Sequence, residues 1–254
     1  MPRGDLKVSV ARTKLRELHP ADIAEILEDM SPREVGQLIH DMPDEQAADV
    51  MEELETEFQA QVLKTLSDEK AADIVEEMEP DEAADVLQEM TEDKRAQVFN
   101  LMEPDESAEV SELLEHPEDT AGGLMTTKYV TVPPNLSVAE ALQRVRAEAI
   151  AKEAETIYYV YVVDADEHFT GVFSLSDLVL AAPDASVDSI MHHKAKRVQL
   201  TDSREEVLEL IAKYNLLAVP VVDQANRLRG IVTTGDALDL ILPEEWKIKM
   251  PRLF

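Results

Sequence analysis

The sequence predicts an α + α/β protein, in which an acidic all-α superhelical repeat domain precedes a duplicated β-α-β-β-α module. Three observations predict it. From His19 to Leu114 an apolar position returns every twelve residues, at Met30, Met42, Leu54, Leu66, Met78, Met90, Met102 and Leu114. Beyond Met125, two stretches about sixty residues apart share one order of apolar runs, Gly and Asp. Between them Thr120-Ala121-Gly122-Gly123-Leu124-Met125 holds two of the chain's seven glycines.

A fixed period marks stacked units, none of which buries its apolar stripe alone. Twelve residues are too few for a helix pair, so each unit is one short helix and its turn. Ser31-Pro32-Arg33-Glu34 has capping-box spacing with Pro at the first helical position, and Pro43, Pro80 and Pro104 open later units. Acids in first turns, such as Asp81-Glu82 and Asp105-Glu106, sit where the helix dipole favours negative charge. The Ala, Val/Ile/Leu and Met positions form one face, so the methionines read as core. Beyond helix starts, Asp49, Asp73 and Asp85 recur at one point of three repeats, and Asp81 and Asp85 stand i, i+4 on one face. Hard oxygen ligands without His or Cys suit Mg²⁺ or Ca²⁺. The competing reading of most of these acids is a solvated helix face.

The 254 residues carry a net charge of −30, unevenly distributed. Residues 1–16 hold five Lys/Arg against one acid, 17–119 hold five against 34, and 120–254 hold 14 against 19. Such a field repels nucleic acid and anionic lipid and attracts cations or basic partners; the plainer reading is solubility. There is no cysteine, hence no disulfide or thiolate metal site. No apolar run approaches the roughly 18 to 20 residues of a membrane-spanning helix.

In the duplicated module the first copy reads Tyr129–Val132, a helix from Ser137 to about Glu148, an apolar run to Asp164, then Phe169–Asp177. The second reads Arg197–Leu200, a helix from Arg204 to Tyr214, Leu217–Asp223, then Leu228–Asp236. Seven residues separate Asp164 from Gly171 and Asp223 from Gly230, and six separate each Gly from the later Asp177 or Asp236. Identical grammar implies two pseudo-symmetric halves.

These residues carry a resemblance. Residues 125–241 resemble a tandem pair of CBS motifs. The acidic repeat with Ala-Gly-Gly-Leu-Met, Glu155-Thr156-Ile157-Tyr158-Tyr159 and two Gly-x-x-[Ser/Thr]-x-x-Asp endings resembles the cytosolic part of the MgtE magnesium channel family. The implied organisation is a tail or upstream remnant at 1–18, an acidic N domain at 19–119, a glycine hinge at 120–124, CBS copies at 125–182 and 183–241, and a tail at 242–254. The implied function is a cytoplasmic, homodimeric Mg²⁺ sensor at the inner face of the cell membrane. In it Mg²⁺ bridges acidic N-domain and CBS surfaces and favours the closed channel.

Carried over residue by residue, the resemblance implies metal ligands at Asp49, Asp81, Asp85 and Asp236, with the Gly123 carbonyl nearby. A second set falls on Glu205, the Ala212 carbonyl, Asn215 and Asp239. Asn215 replaces an acid and Gly235 stands where relatives often have Asp, which weakens that set. CBS pairs also bind ATP or other adenine nucleotides, for which Tyr159, Ser174, Asp177 and Pro220 are the implied contacts; Ser176 stands where relatives often carry Arg. Ser174 and Asp177 equally read as a helix cap.

No histidine pairs with a nucleophile at catalytic spacing, and no P-loop or Gly-x-Gly-x-x-Gly occurs, so an enzyme is not expected. His192-His193 reads as an exposed loop. The ending Leu242–Phe254 has two prolines where a transporter would continue into a long helix, which favours a stand-alone sensor over a piece severed from its membrane region. The alternative function is a stand-alone CBS adaptor that binds an adenine nucleotide and a basic protein partner.

Overall fold

A computed structural model describes residues 18–27, 30–151 and 157–241; both chain ends and Glu155-Thr156 lie outside the described residues. Two compact units divide in sequence between Leu114 and Glu115.

Among the described residues the first unit is eight helices, one per twelve-residue repeat. They are α1 (Pro20–Leu27), α2 (Pro32–Ile39), α3 (Asp44–Glu52), α4 (Thr56–Leu63), α5 (Asp68–Glu77), α6 (Pro80–Glu89), α7 (Glu92–Leu101) and α8 (Pro104–Leu114). Each packs chiefly on its neighbour but one: α1 on α3, α2 on α4, α3 on α5, and so on to α6 on α8. Most repeat positions expected to be apolar core are buried, as Ala71, Ala72, Ile74, Val75 and Met78 illustrate, and Met42, Met51, Met90 and Met102 join them, while Met30 and Leu114 at the ends of the stack are half-buried.

Polar ties repeat after 24 residues, twice the sequence period. The Lys70 ammonium on α5 donates to the Met42 carbonyl at 2.9 Å and pairs with Asp44 at 2.5 Å. Lys94 on α7 does the same with Leu66 O and Asp68 at 3.3 and 2.5 Å. The Glu52 carboxylate accepts the Glu79 N–H that opens α6, at 2.6 Å, and Glu76 accepts that of Glu103. Part of the acidity is therefore structural, tying one helix to the start of another.

The second unit holds both halves of the module. The first is β1 (Thr131–Val132), α9 (Val138–Ala151), β2 (Tyr159–Val163), β3 (Phe169–Ser174) and α10 (Leu175–Leu180). After the short α11 (Val187–Ile190), the second is β4 (Val198–Gln199), α12 (Arg204–Tyr214), β5 (Ala218–Val222), β6 (Leu228–Thr233) and α13 (Thr234–Asp239). Each half forms a three-stranded sheet with its strands in chain order, the first pair parallel and the second antiparallel. Tyr161, Phe169, Ala218, Val222, Leu228 and Ile231 form a core shared by both halves. The hairpin turns also join: Phe169 N–H donates to Asn226 O at 2.8 Å and Leu228 N–H to Glu167 O at 3.1 Å.

The segment ahead of each half is strapped onto the other half. Thr126 pairs with Ile231 on β6, and His192 pairs with Val172 on β3. Glycine makes the close approach possible: a Cβ on Gly230 would lie 2.5 Å from Met125 Sδ, and one on Gly171 would lie 2.9 Å from Met191 Sδ. Gly122 and Gly123 are likewise needed for space against His116 and Pro117. Their segment is bonded to the second half, with Ala121 N–H on Asp202 O and Gly122 N–H on Leu200 O.

Capping boxes set the helix starts. At α10 the Asp177 carboxylate accepts from Ser174 N–H at 2.9 Å and its hydroxyl at 2.7 Å, while Asp177 N–H donates back to Ser174 Oγ at 3.0 Å. At α13 the Asp236 carboxylate accepts from Thr233 N–H, while Asp236 N–H donates back to Thr233 Oγ1 at 3.4 Å. The Ser174 hydroxyl and N–H hold the Asp177 carboxyl below its ordinary value.

Two outcomes follow for stability. Lys70→Ala removes the tie to Met42 O and Asp44 and lowers the stability of the first unit by about 1 to 2 kcal/mol in urea unfolding. Ser174→Ala costs about 1 kcal/mol near pH 7. Because Asp177 has a depressed folded-state value, its cap contributes fully above the ordinary 3.8 and is lost as pH falls through the lower folded value. The difference between Ser174→Ala and the parent protein should accordingly narrow below pH 3.8, as read by unfolding midpoints across pH.

Candidate functional site

The first implied metal set is divided between the two units. Asp49 lies on α3, and Asp81 and Asp85 lie on α6 of the first unit; all three are half-buried. Asp81 is the second residue of α6, after Pro80, and one of its carboxylate oxygens is buried. The helix dipole at that position favours a carboxylate and adds positive potential beside it. Buried Ala83, Ala84, Val86 and Leu87 face the stack, which leaves Asp81 and Asp85 together at its margin. Such oxygen donors suit a hard divalent cation. Gly123 and Asp236 lie in the second unit. Asp236 is the third residue of α13, and its carboxylate accepts Thr233 N–H at 2.7 Å. A cap and a metal ligand are compatible there, because a carboxylate offers about four lone-pair sites.

The second set lies mostly on α12. Glu205, exposed at its start, accepts from Arg204 Nε at 3.2 Å. Ala212 is exposed in the last turn, and Asn215 ends the helix in the left-handed region at φ 50°. Asn tolerates that conformation better than most residues, so helix termination explains it. Ten residues of helix put Glu205 and Asn215 about 15 Å apart along the axis, too far for one ion to touch both. Asp239 closes α13; its side chain lies outside the described residues.

Of the residues implied as nucleotide contacts, Tyr159 is the cross-strand partner of Ser174, and Ser174 is bonded to Asp177. These three occupy one end of the first sheet. Pro220 is buried in β5 opposite Ile231. A small cleft lined by Lys128, Tyr129, Tyr159, Tyr161, Ala218 and Ile231 lies between the halves. Burial pushes the Tyr161 phenol up, and Tyr129 stands edge-on to its ring at 6.0 Å.

Two features were not read from the sequence. Asp236 as a cap was signalled by Thr-x-x-Asp spacing identical to that of Ser174 and Asp177. His192 does sit in an exposed loop, yet its Nε2 lies 3.9 Å from Asp177 Oδ2. Only the pairing with Val172 brings them together. Asp164, Asp166 and His168 also cluster with metal-like spacing. The Asp164 carboxylate there takes the N–H groups of Asp166 and His168, each at 2.9 Å, and Asp223 does the same for Ala225 and Arg227 in the other hairpin. It is a turn device shared by both halves.

Among the described residues no helix is long and apolar enough to cross a membrane. Comparison with known proteins matches residues 18–119 to the MgtE intracellular N domain and residues 121–184 and 187–243 to the CBS domain. The magnesium transporter MgtE of Thermus thermophilus is 46% identical over 132 residues, 52% of this chain and 29% of that protein. The MgtE of Enterococcus faecalis is 42% identical over 130 residues, 28% of its length. These matches span under a third of the curated relatives. A crystal structure of the cytosolic domain of the Mg²⁺ channel MgtE in complex with ATP aligns at a TM-score of 0.85 with 39% identity, covering 91% of this chain and 93% of that one. The soluble part of a magnesium transporter aligns at 0.84 with 32% identity, covering 94% and 93%. With an acidic helical stack and a strapped CBS pair matched over nearly their whole length, the chain belongs to the MgtE family, corresponding to its cytosolic region.

Proposed function

We propose that this chain is the Mg²⁺-sensing regulatory module of an MgtE-type magnesium transporter, acting at the cytoplasmic face of the membrane. The observation that carries the reading is the likeness, over 91% of the chain, to the cytosolic domain of a Mg²⁺ channel. The chemistry agrees with it. Asp49, Asp81 and Asp85 on the first unit and Asp236 with the Gly123 carbonyl on the second are all-oxygen donors, without His or thiolate competition. In this reading, facing carboxylates repel at low Mg²⁺. A bound, partly hydrated ion neutralises them and favours the compact, closed-channel state. Glu205, Ala212, Asn215 and Asp239 form weaker positions of the same kind.

The partner surfaces follow. Val179 and Leu180 on α10 are 66% and 85% exposed, with Ile150 of α9 at 79%, an apolar face suited to a second copy of the CBS pair. The acidic surface disfavours nucleic acid. An adenine nucleotide is the second ligand, at Tyr159, Ser174, Asp177 and Pro220. Support comes from the ATP complex of the relative and from the shared sheet end of the first three residues.

Solvated sites of this type bind on the order of 10⁻³ M. Raising Mg²⁺ to about 20 mM should then stabilise the protein by about 2 kcal/mol per site. Thermal unfolding at constant ionic strength should show that rise in the parent and lose most of it in Asp81→Ala/Asp85→Ala/Asp236→Ala. An equal rise in both would assign the effect to general screening and reject these ligands.

A further inference from the structure

Asp177 has a neighbour that the metal and nucleotide sets leave out. His192 is anchored through its backbone: its N–H donates to Val172 O at 2.7 Å, and its carbonyl accepts Val172 N–H at 3.4 Å. The preceding Met191 is 8% exposed, and a side chain on Gly171 would close the approach. The ring, by contrast, is 72% exposed, with Nε2 3.9 Å from Asp177 Oδ2. A fixed backbone and an exposed imidazole therefore stand beside the carboxylate that caps α10.

The neighbours single this histidine out. Of the charged groups around it, Asp177 faces it from α10, while on its own segment His193 is directed at Asp188 at 4.0 Å and Lys196 lies over the Tyr214 ring at 4.5 Å. Ser176, one residue from Asp177, brings no charge. In the other half the equivalent strap carries Thr126, 7% exposed, where this one carries His192. At this strap position the imidazole belongs to one half alone.

A phosphate group brought to the end of the first sheet meets the Asp177 carboxylate and the field of a chain with net charge −30. Such a group needs a local cation. We propose that protonated His192 is the phosphate contact of a nucleotide held at Tyr159, Ser174 and Asp177, supplying the charge that Ser176 lacks; this rests on the nucleotide reading above. Asp177 lies beside the ring at the ribose end, and the exposed ring turns from Asp177 to the phosphate on binding. Histidine changes charge between pH 5 and 8, so phosphate recognition becomes pH-dependent.

Calorimetric titration of the full chain with ATP and with adenosine, at about pH 6 and pH 8 and constant ionic strength, tests this. Comparing proteins at one pH cancels the titration of ATP itself. His192→Ala should bind ATP about fivefold more weakly than the parent at the lower pH and within about twofold at the higher. Adenosine should bind both proteins alike, and His193→Ala should follow the parent. Equal loss at both pH values, no loss, or tighter binding by His192→Ala would overturn the role of His192 while leaving the nucleotide reading intact. Failure of the parent to bind either ligand would overturn both.

Discussion

Everything in the first unit depends on one constraint, that a twelve-residue repeat holds a helix of only two to three turns. Such a helix is unstable alone and must bury an apolar face to persist. The stack meets this by packing each helix on its neighbour but one. That choice fixes where polarity goes: Ala, Val and Met turn inward, while the acids stand at the margins. Some of those acids then act as ties, as Asp44 and Asp68 do with Lys70 and Lys94, and Glu52 with the start of α6. In the proposed reading, metal binding falls to acids such as Asp81 and Asp85, which share a helix face.

The CBS unit solves a different problem, joining two small halves that each bury too little alone. Strap, hairpin and shared core all cross between them. Within that symmetric frame the two capping carboxylates hold equivalent positions, Asp177 beside an exposed imidazole and Asp236 in the half whose strap carries Thr126. The same backbone device thus presents two carboxylates in different electrostatic settings. Divergence between the halves lies in their surroundings, and the caps themselves are alike.

Much of this was legible in the sequence. The fold class, the one-helix-per-repeat arrangement and the methionine core followed from the period, and α12 spans Arg204–Tyr214 as its cap and apolar pattern indicated. Strand ends were less legible: β1 is only Thr131–Val132, because pairing with β2 ends where the chain leaves the sheet. The 24-residue ladder was hidden, since packing on the neighbour but one is a tertiary choice that a twelve-residue apolar period does not encode. At the site, spacing identified the carboxylates but not their company. His192 reaches Asp177 through a strand contact twenty residues away, between Val172 and His192, that Gly171 permits. Spacing singled out Asp49, Asp81 and Asp85, but the full set of implied metal ligands came from resemblance, since an i, i+4 acid pair on a helix is equally a solvated face.

The central claim is that Mg²⁺ links carboxylates of the two units, and small-angle X-ray scattering tests it most directly. The full chain would be compared with Asp81→Ala/Asp85→Ala/Asp236→Ala, with Mg²⁺ raised at constant ionic strength so that screening does not change. The account predicts a fall in radius of gyration for the parent and none for the triple variant. Equal compaction of both, or compaction of neither, would contradict it.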